Sequence, residues 1–127
     1  MLNDEKIMSF VGVSDADTAR AFYRDTLGLS LISEDGFALA FGVGGIMLRV
    51  TLVNEVRPQP YTVLGWQVKD ATATARALAK AGVPPERYSH VPQDDDGIWT
   101  APGGAKIAWF LDPDGNNLSL TEFTTPE

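Results

Sequence analysis

The stretch Val13-Ser14-Asp15-Ala16 returns as Val68-Lys69-Asp70-Ala71, with the Val, the Asp and the Ala each repeated 55 residues further on. In both copies an apolar, strand-like run ends on the Val, and a helical segment containing Ala and Arg begins after the Asp. An Asp in that position can accept hydrogen bonds from the unpaired N–H groups of a starting helix, so each copy reads as strand, N-cap, helix. Two such units in one short chain point to a duplicated module.

The length of 127 residues suits one domain, able to bury roughly two-thirds of its unfolded surface. We expect a single domain, 1–127, made of modules at about 6–53 and 61–123 joined by a linker, 54–60. No apolar run approaches the roughly 20 residues that cross a bilayer. The start, Met1-Leu2-Asn3-Asp4-Glu5-Lys6, lacks the apolar core of a secretory signal, so a soluble cytoplasmic protein is expected. Cysteine is absent, which excludes disulfides, thiolate catalysis and Cys-ligated metal. Ten basic against 17 acidic residues give a net charge of −7, which repels a phosphate backbone. Neither nucleic acid nor a membrane is an expected partner.

Along the chain, Ile7, Val11 and Val13 alternate with Met8, Phe10 and Gly12, which predicts a first strand covered on both faces. Ala19, Phe22, Tyr23 and Leu27 give the segment 16–27 a helical apolar stripe, closed by Gly28. Strands 29–33 and 37–41 flank the turn Glu34-Asp35-Gly36, and 46–53 is the next strand. Pro58 and Pro60 interrupt any ladder and mark the connection. The second half predicts a strand at 61–68, a helix at 71–81 ended by Gly82, and a short strand near Arg87 and Tyr88. A hairpin of 98–101 and 106–111 around Pro102-Gly103-Gly104 follows. A turn at Asp112-Pro113-Asp114-Gly115-Asn116 and a closing strand at 117–123 complete it. The pattern is βαβββ twice, an α+β arrangement.

Two stretches carry a family resemblance: Val13-Ser14-Asp15 followed by Ala21-Phe22-Tyr23-Arg24-Asp25-Thr26-Leu27-Gly28, and Trp109-Phe110-Leu111-Asp112-Pro113-Asp114-Gly115-Asn116. The first resembles the V-S-D…F-Y-x-x-x-L-G signature of the vicinal oxygen chelate superfamily. The second resembles its F-x-D-P-D-G-N segment. That superfamily includes glyoxalase I, bleomycin and fosfomycin resistance proteins, and extradiol dioxygenases. The resemblance implies two βαβββ modules in a curled, cup-shaped mixed sheet with helices outside and a ligand inside, and a homodimer. The metal-ligand positions of metal-binding members fall here on Met8, Val63 and Ser119, and approximately on Arg49. The resemblance therefore implies no metal and no cofactor. Independently, a two-His-one-carboxylate site needs two histidines, and the chain has only His90.

Other chemical candidates have plainer readings. His90 lies in a polar loop with no nucleophile beside it in sequence, Asp94-Asp95-Asp96 lacks the alternating spacing of a calcium loop, and Asp112 and Asp114 suit a turn. Ser119 has no base arranged to activate it. Trp66 has the opposite parity to Val63 and is expected beneath a helix, whereas Trp99 and Trp109 are open to either lining a cup or packing in a core. Arg49 interrupts the apolar run Ile46-Met47-Leu48 and Val50-Thr51-Leu52. It either reaches an internal carboxylate or the strand edge, or it grips an anionic group of a ligand. The expected ligand-binding set is Met8, Phe10, Met47, Arg49, Val63, Trp99, Trp109 and Ser119, with no catalytic residue assigned. The expected function is metal-independent, bleomycin-resistance-like binding of a small molecule, hydrophobic or aromatic, and anionic if Arg49 grips it. The alternatives are a metal-dependent lyase, isomerase or dioxygenase with an atypical ligand set, and a non-catalytic subunit or interaction module.

Overall fold

A computed structural model describes residues 1–124, and the chain divides into two compact units, Met1–Arg57 and Pro58–Glu127. The first unit runs β1 (Met8–Val13), α1 (Ala16–Arg20), a π-helical turn (Ala21–Thr26), β2 (Ser30–Glu34), β3 (Ala38–Val43) and β4 (Ile46–Leu52). Its sheet has the order β1-β4-β3-β2, with β1 parallel to β4 and the other neighbours antiparallel. Asp15 is extended at φ −143° and accepts from the Thr18 backbone N–H at 2.9 Å, which starts α1.

The apolar stripe predicts one helix over 16–27, but the α-helix stops at Arg20 and the next turn widens. The Leu27 N–H donates to the Phe22 carbonyl, five residues back, at 2.9 Å. Consecutive residues diverge by about 100° on an α-helix and by less on the wider turn, which brings Phe22 and Tyr23 closer to one side. The wider turn buries both, at 8% and 0% exposure, with the rings edge-on at 5.0 Å. Tyr23 then reaches Phe41 on β3 at 6.2 Å between ring centres. Between β2 and β3, Asp35 folds its own turn by accepting from the N–H groups of Phe37 and Ala38.

Alternation sorts this sheet into two faces. Val11, Val13, Leu39, Phe41, Leu48 and Val50 are buried together with Ala19, Phe22 and Tyr23. The other face carries Met8, Phe10, Met47 and Arg49. Here the expectation that β1 is covered on both sides fails, because Met8 is 44% and Phe10 59% exposed. An alternating apolar pattern shows that two faces can be buried, not that the chain supplies a cover for each.

The second unit repeats the plan with β5 (Leu64–Gln67), α2 (Ala71–Lys80), β6 (Trp99–Thr100), β7 (Lys106–Leu111) and β8 (Asn117–Glu122), in the order β5-β8-β7-β6. Again the first and last strands are parallel. Asp70, extended at φ −144°, caps α2 by accepting from the Ala73 N–H at 3.0 Å, and Glu122 accepts from the Ala71 N–H. Gly82 closes the helix at φ 92° in a Schellman arrangement, with Val83 N–H donating to the Leu78 carbonyl and Gly82 N–H to that of Ala79. Ala75, Leu78 and Val83 line one small cavity together with Ala108, Phe110 and Leu120 of the sheet. Trp66 lies on this helix-covered face, as its parity predicts, and stacks on Phe110 at 6.1 Å.

Two expected strands differ. The run from Tyr61 joins the ladder only at Leu64, and Arg87–Tyr88 forms no strand. Beside β7 the Glu86 N–H bonds the Trp109 carbonyl, but the pairing does not extend: Pro84 and Pro85 before it have no N–H, and after it the Tyr88 N–H donates to the Gln93 side chain. Asp112 is buried in the turn before β8, where its carboxylate accepts from the N–H groups of Asp114 and Asn116 and from the Asn116 side chain. Each unit is thus βαβββ around a four-stranded mixed sheet, and the α+β fold class holds. Among the described residues no helix is long and apolar enough to cross a membrane.

Candidate functional site

On the uncovered face of the first sheet, register sets the side chains in rows. Met8 pairs with Met47, which pairs in turn with Gly42, and Phe10 pairs with Arg49, which pairs in turn with Ala40. Met47 is 38% exposed, and Ile32 of β2 reaches over Gly42, its Cδ1 lying 2.9 Å from where a Cβ would be. Arg49 is half-buried among these apolar neighbours. Among the described residues no hydrogen bond or ion pair engages its guanidinium. Its charge is felt at Asp35, whose carboxyl is held below the usual carboxylate range first by the N–H groups of Phe37 and Ala38 and further by Arg49. Among the described residues Arg49 thus forms no direct internal ion pair. The side chain interrupts an apolar strand because it lies on the strand's uncovered face.

On the corresponding face of the second sheet, Gly65, Ser119 and Trp109 form one row, and Ile107 and Trp99 pair in the next. Val63 has the parity of Gly65 and is 37% exposed. Trp99 and Trp109 stack at 6.1 Å with 22° between planes, and Tyr88 meets Trp109 edge-on at 5.4 Å. The Tyr88 hydroxyl accepts from the Asn117 side-chain N–H at 2.8 Å. Burial raises the Tyr88 phenol, with the Asn117 hydrogen bond pulling the other way. Ser119 is 7% exposed, and its hydroxyl stands 2.8 Å from where a Cβ on Gly65 would lie, so that approach needs a glycine.

The expected set thus divides, with Met8, Phe10, Met47 and Arg49 sharing one face of the first unit, and Val63, Trp99, Trp109 and Ser119 sharing one face of the second. Sequence reasoning missed Tyr88, Asn117 and Gly65. Parity with Ser119 could have found Asn117 and Gly65. Nothing local marks Tyr88, which a loop delivers.

The remaining candidates are occupied structurally. Asp94 accepts from the N–H groups of Asp96 and Ile98, and Asp96 makes a two-point pair with Arg76, both contacts at 3.0 Å. Arg87 donates to the carbonyls of Asp94 and Asp95, so the acidic run is a pinned loop. His90 is exposed, its ring 5.7 Å from that of Tyr88. Among the described residues no three His, Cys, Asp or Glu side chains gather as a metal site would require. At the positions the family resemblance assigns to metal ligands stand a thioether, an isopropyl group, a hydroxyl and a guanidinium. Such a set does not fit a divalent cation.

Residues 7–120 match the Glyoxalase/Bleomycin resistance protein/Dioxygenase superfamily. Among solved structures, the glyoxalase family protein from Enterococcus faecalis aligns with a TM-score of 0.74 at 21% identity, over 96% of this chain and 100% of that one. The lactoylglutathione lyase from Agrobacterium tumefaciens gives 0.73 at 21%, over 94% and 95%. A genomically encoded fosfomycin resistance protein from Listeria monocytogenes gives 0.71 at 15%, over 93% and 92%. A search of the curated proteins finds no match. Likeness at these identities speaks for the fold, while the family match runs from β1 into β8, and this chain therefore belongs to the Glyoxalase/Bleomycin resistance protein/Dioxygenase superfamily.

Proposed function

We propose that the chain binds a small, mainly hydrophobic or aromatic organic anion without a metal, the anionic group against Arg49 and the apolar part on Met8, Phe10 and Met47. The observation that carries this reading is Arg49 itself, a guanidinium set among exposed apolar side chains with no hydrogen-bonded carboxylate among the described residues. A charge in such a setting has lost water on its apolar flanks, and an arriving carboxylate or phenolate restores a charge-assisted, two-point hydrogen bond. The apolar neighbours supply the hydrophobic contact area that such a site needs. The donor set described above supports binding without a metal.

The test is a thermal-shift and calorimetric comparison of benzoate and 2-naphthoate with their neutral amides, on the natural protein and on Arg49→Met. Met preserves most of the side-chain volume and removes the charge. Loss of a charge-assisted bond worth about 1.5–3 kcal/mol weakens the carboxylates roughly ten- to a hundred-fold and leaves the amides nearly unchanged. Equal carboxylate binding by both proteins would show that Arg49 is structural.

A further inference from the structure

The open face of the second sheet holds a hydroxyl with an unused proton beside a half-exposed indole. Asn117 is 5% exposed on β8, and its amide is oriented by the Thr62 hydroxyl, which donates to Oδ1 at 3.5 Å. Its Nδ2 therefore faces Tyr88 and donates to the phenol oxygen at 2.8 Å. That bond occupies one acceptor position of the hydroxyl and leaves its proton to be given elsewhere. Among the described residues no acceptor takes it. Because burial raises the phenol, the proton stays in place at neutral pH.

Trp109 meets the ring of Tyr88 edge-on and lies in one row with Ser119 and Gly65. Gly65 is exposed and contributes no side chain, and the Ser119 hydroxyl takes up the room a Cβ would need there, so the row beside the indole carries only small groups. A flat ring suits an indole face whatever its substituents, since stacking depends on the π surface. An acceptor on its edge suits the site, because the Tyr88 oxygen already receives one hydrogen bond while its proton is free to be given.

We propose that this face binds an uncharged flat aromatic ring carrying a hydrogen-bond acceptor, such as an aryl ketone, the ring stacking on Trp109 and the acceptor taking the Tyr88 proton. This goes beyond the Arg49 reading and does not need it, since the ligand class here has no charge.

The test uses the full-length, ¹⁵N-labelled protein, whose three Trp residues give three indole N–H signals. Acetophenone is titrated in, with cyclohexyl methyl ketone (same acceptor, puckered ring) and ethylbenzene (flat ring, no acceptor) as comparators. The Trp99 and Trp109 signals move with acetophenone, the Trp66 signal on the helix-covered face stays, and both comparators bind more weakly. Tyr88→Phe reduces acetophenone affinity about five-fold, the equivalent of one neutral hydrogen bond, and leaves ethylbenzene unaffected. The proposal is overturned if no indole signal moves at millimolar acetophenone, if Trp66 moves as much as Trp109, or if the two ketones bind equally. It is also overturned if Tyr88→Phe binds acetophenone as well as the natural protein. The probe comparison needs no variant, so it decides the matter even if Tyr88→Phe does not fold. All three probes are neutral, so their failure leaves the carboxylate test of Arg49 untouched.

Discussion

Gly97 and Gly82 share a left-handed backbone, at φ 82° and 92°, but differ in what surrounds them. A Cβ on Gly82 would meet nothing within 4 Å, whereas one on Gly97 would lie 2.4 Å from Pro85 Cβ and 2.9 Å from its Cγ. Gly82→Ala should therefore show the backbone term alone, about 1–2 kcal/mol for an L-residue in that region. Gly97→Ala should add the overlap, which a rigid proline ring cannot relieve by changing rotamer, for a further 1–3 kcal/mol or so. The two substitutions should separate by at least about 1 kcal/mol in urea unfolding at 25 °C, and the melting temperature should follow by a few degrees per kcal/mol for a chain of this size. There is a second readout. The Gly97 carbonyl accepts from the Gln93 side chain, whose Oε1 in turn accepts from the Tyr88 N–H at 2.8 Å. Displacing Gly97 should loosen Tyr88 against Trp109 and weaken the near-ultraviolet dichroism of the native state in Gly97→Ala alone. Equal destabilisation by the two substitutions, to within about 0.5 kcal/mol, with identical near-ultraviolet spectra, would refute the role given to the Pro85 contact.

Asp112→Ala should destabilise strongly, at roughly 1–3 kcal/mol for each buried donor left without its carboxylate partner, and the natural Asp112 accepts from three N–H groups; a change below about 1 kcal/mol in urea would contradict this. The Asp15 carboxyl is held below its ordinary value, chiefly by the Thr18 backbone N–H and then by the Thr18 hydroxyl. Its charge therefore stabilises the fold above the unfolded-state value of about 3.9, and that contribution is lost as pH falls through the lower folded value. The stability gap between the natural protein and Asp15→Asn, measured by urea unfolding from pH 7 to pH 2, should close in the acid range, and a gap independent of pH would count against the cap. Chelation followed by dialysis should leave the melting temperature unchanged, and a loss restored specifically by zinc, nickel or manganese would overturn the reading of Met8, Val63 and Ser119 as unable to hold a metal.

The sequence alone determined the features written in short-range chemistry. Asp15 and Asp70 cap helices because a carboxylate beside a free N–H needs no distant partner. Asp112 turns the chain for the same reason. Alternation placed Trp66 on the helix-covered face and Ser119 on the other, since a strand's two-residue period fixes which side chains share a side. Tertiary structure decided what parity cannot express. Parity assigns Met8, Phe10, Met47 and Arg49 to one face of their strands, but only the packed chain decides which face the helix covers, and therefore that Arg49 lies on the open one. The π-helical turn at Ala21–Thr26 is likewise a tertiary outcome, because burying Phe22 and Tyr23 together outweighs the regular i to i−4 ladder that their spacing suggests. The pairing of Tyr88 with Asn117 spans 29 residues and a loop without periodicity, so no local pattern could announce it. It exists because β8, Pro85 and the Gln93 bonds together fix where that loop runs.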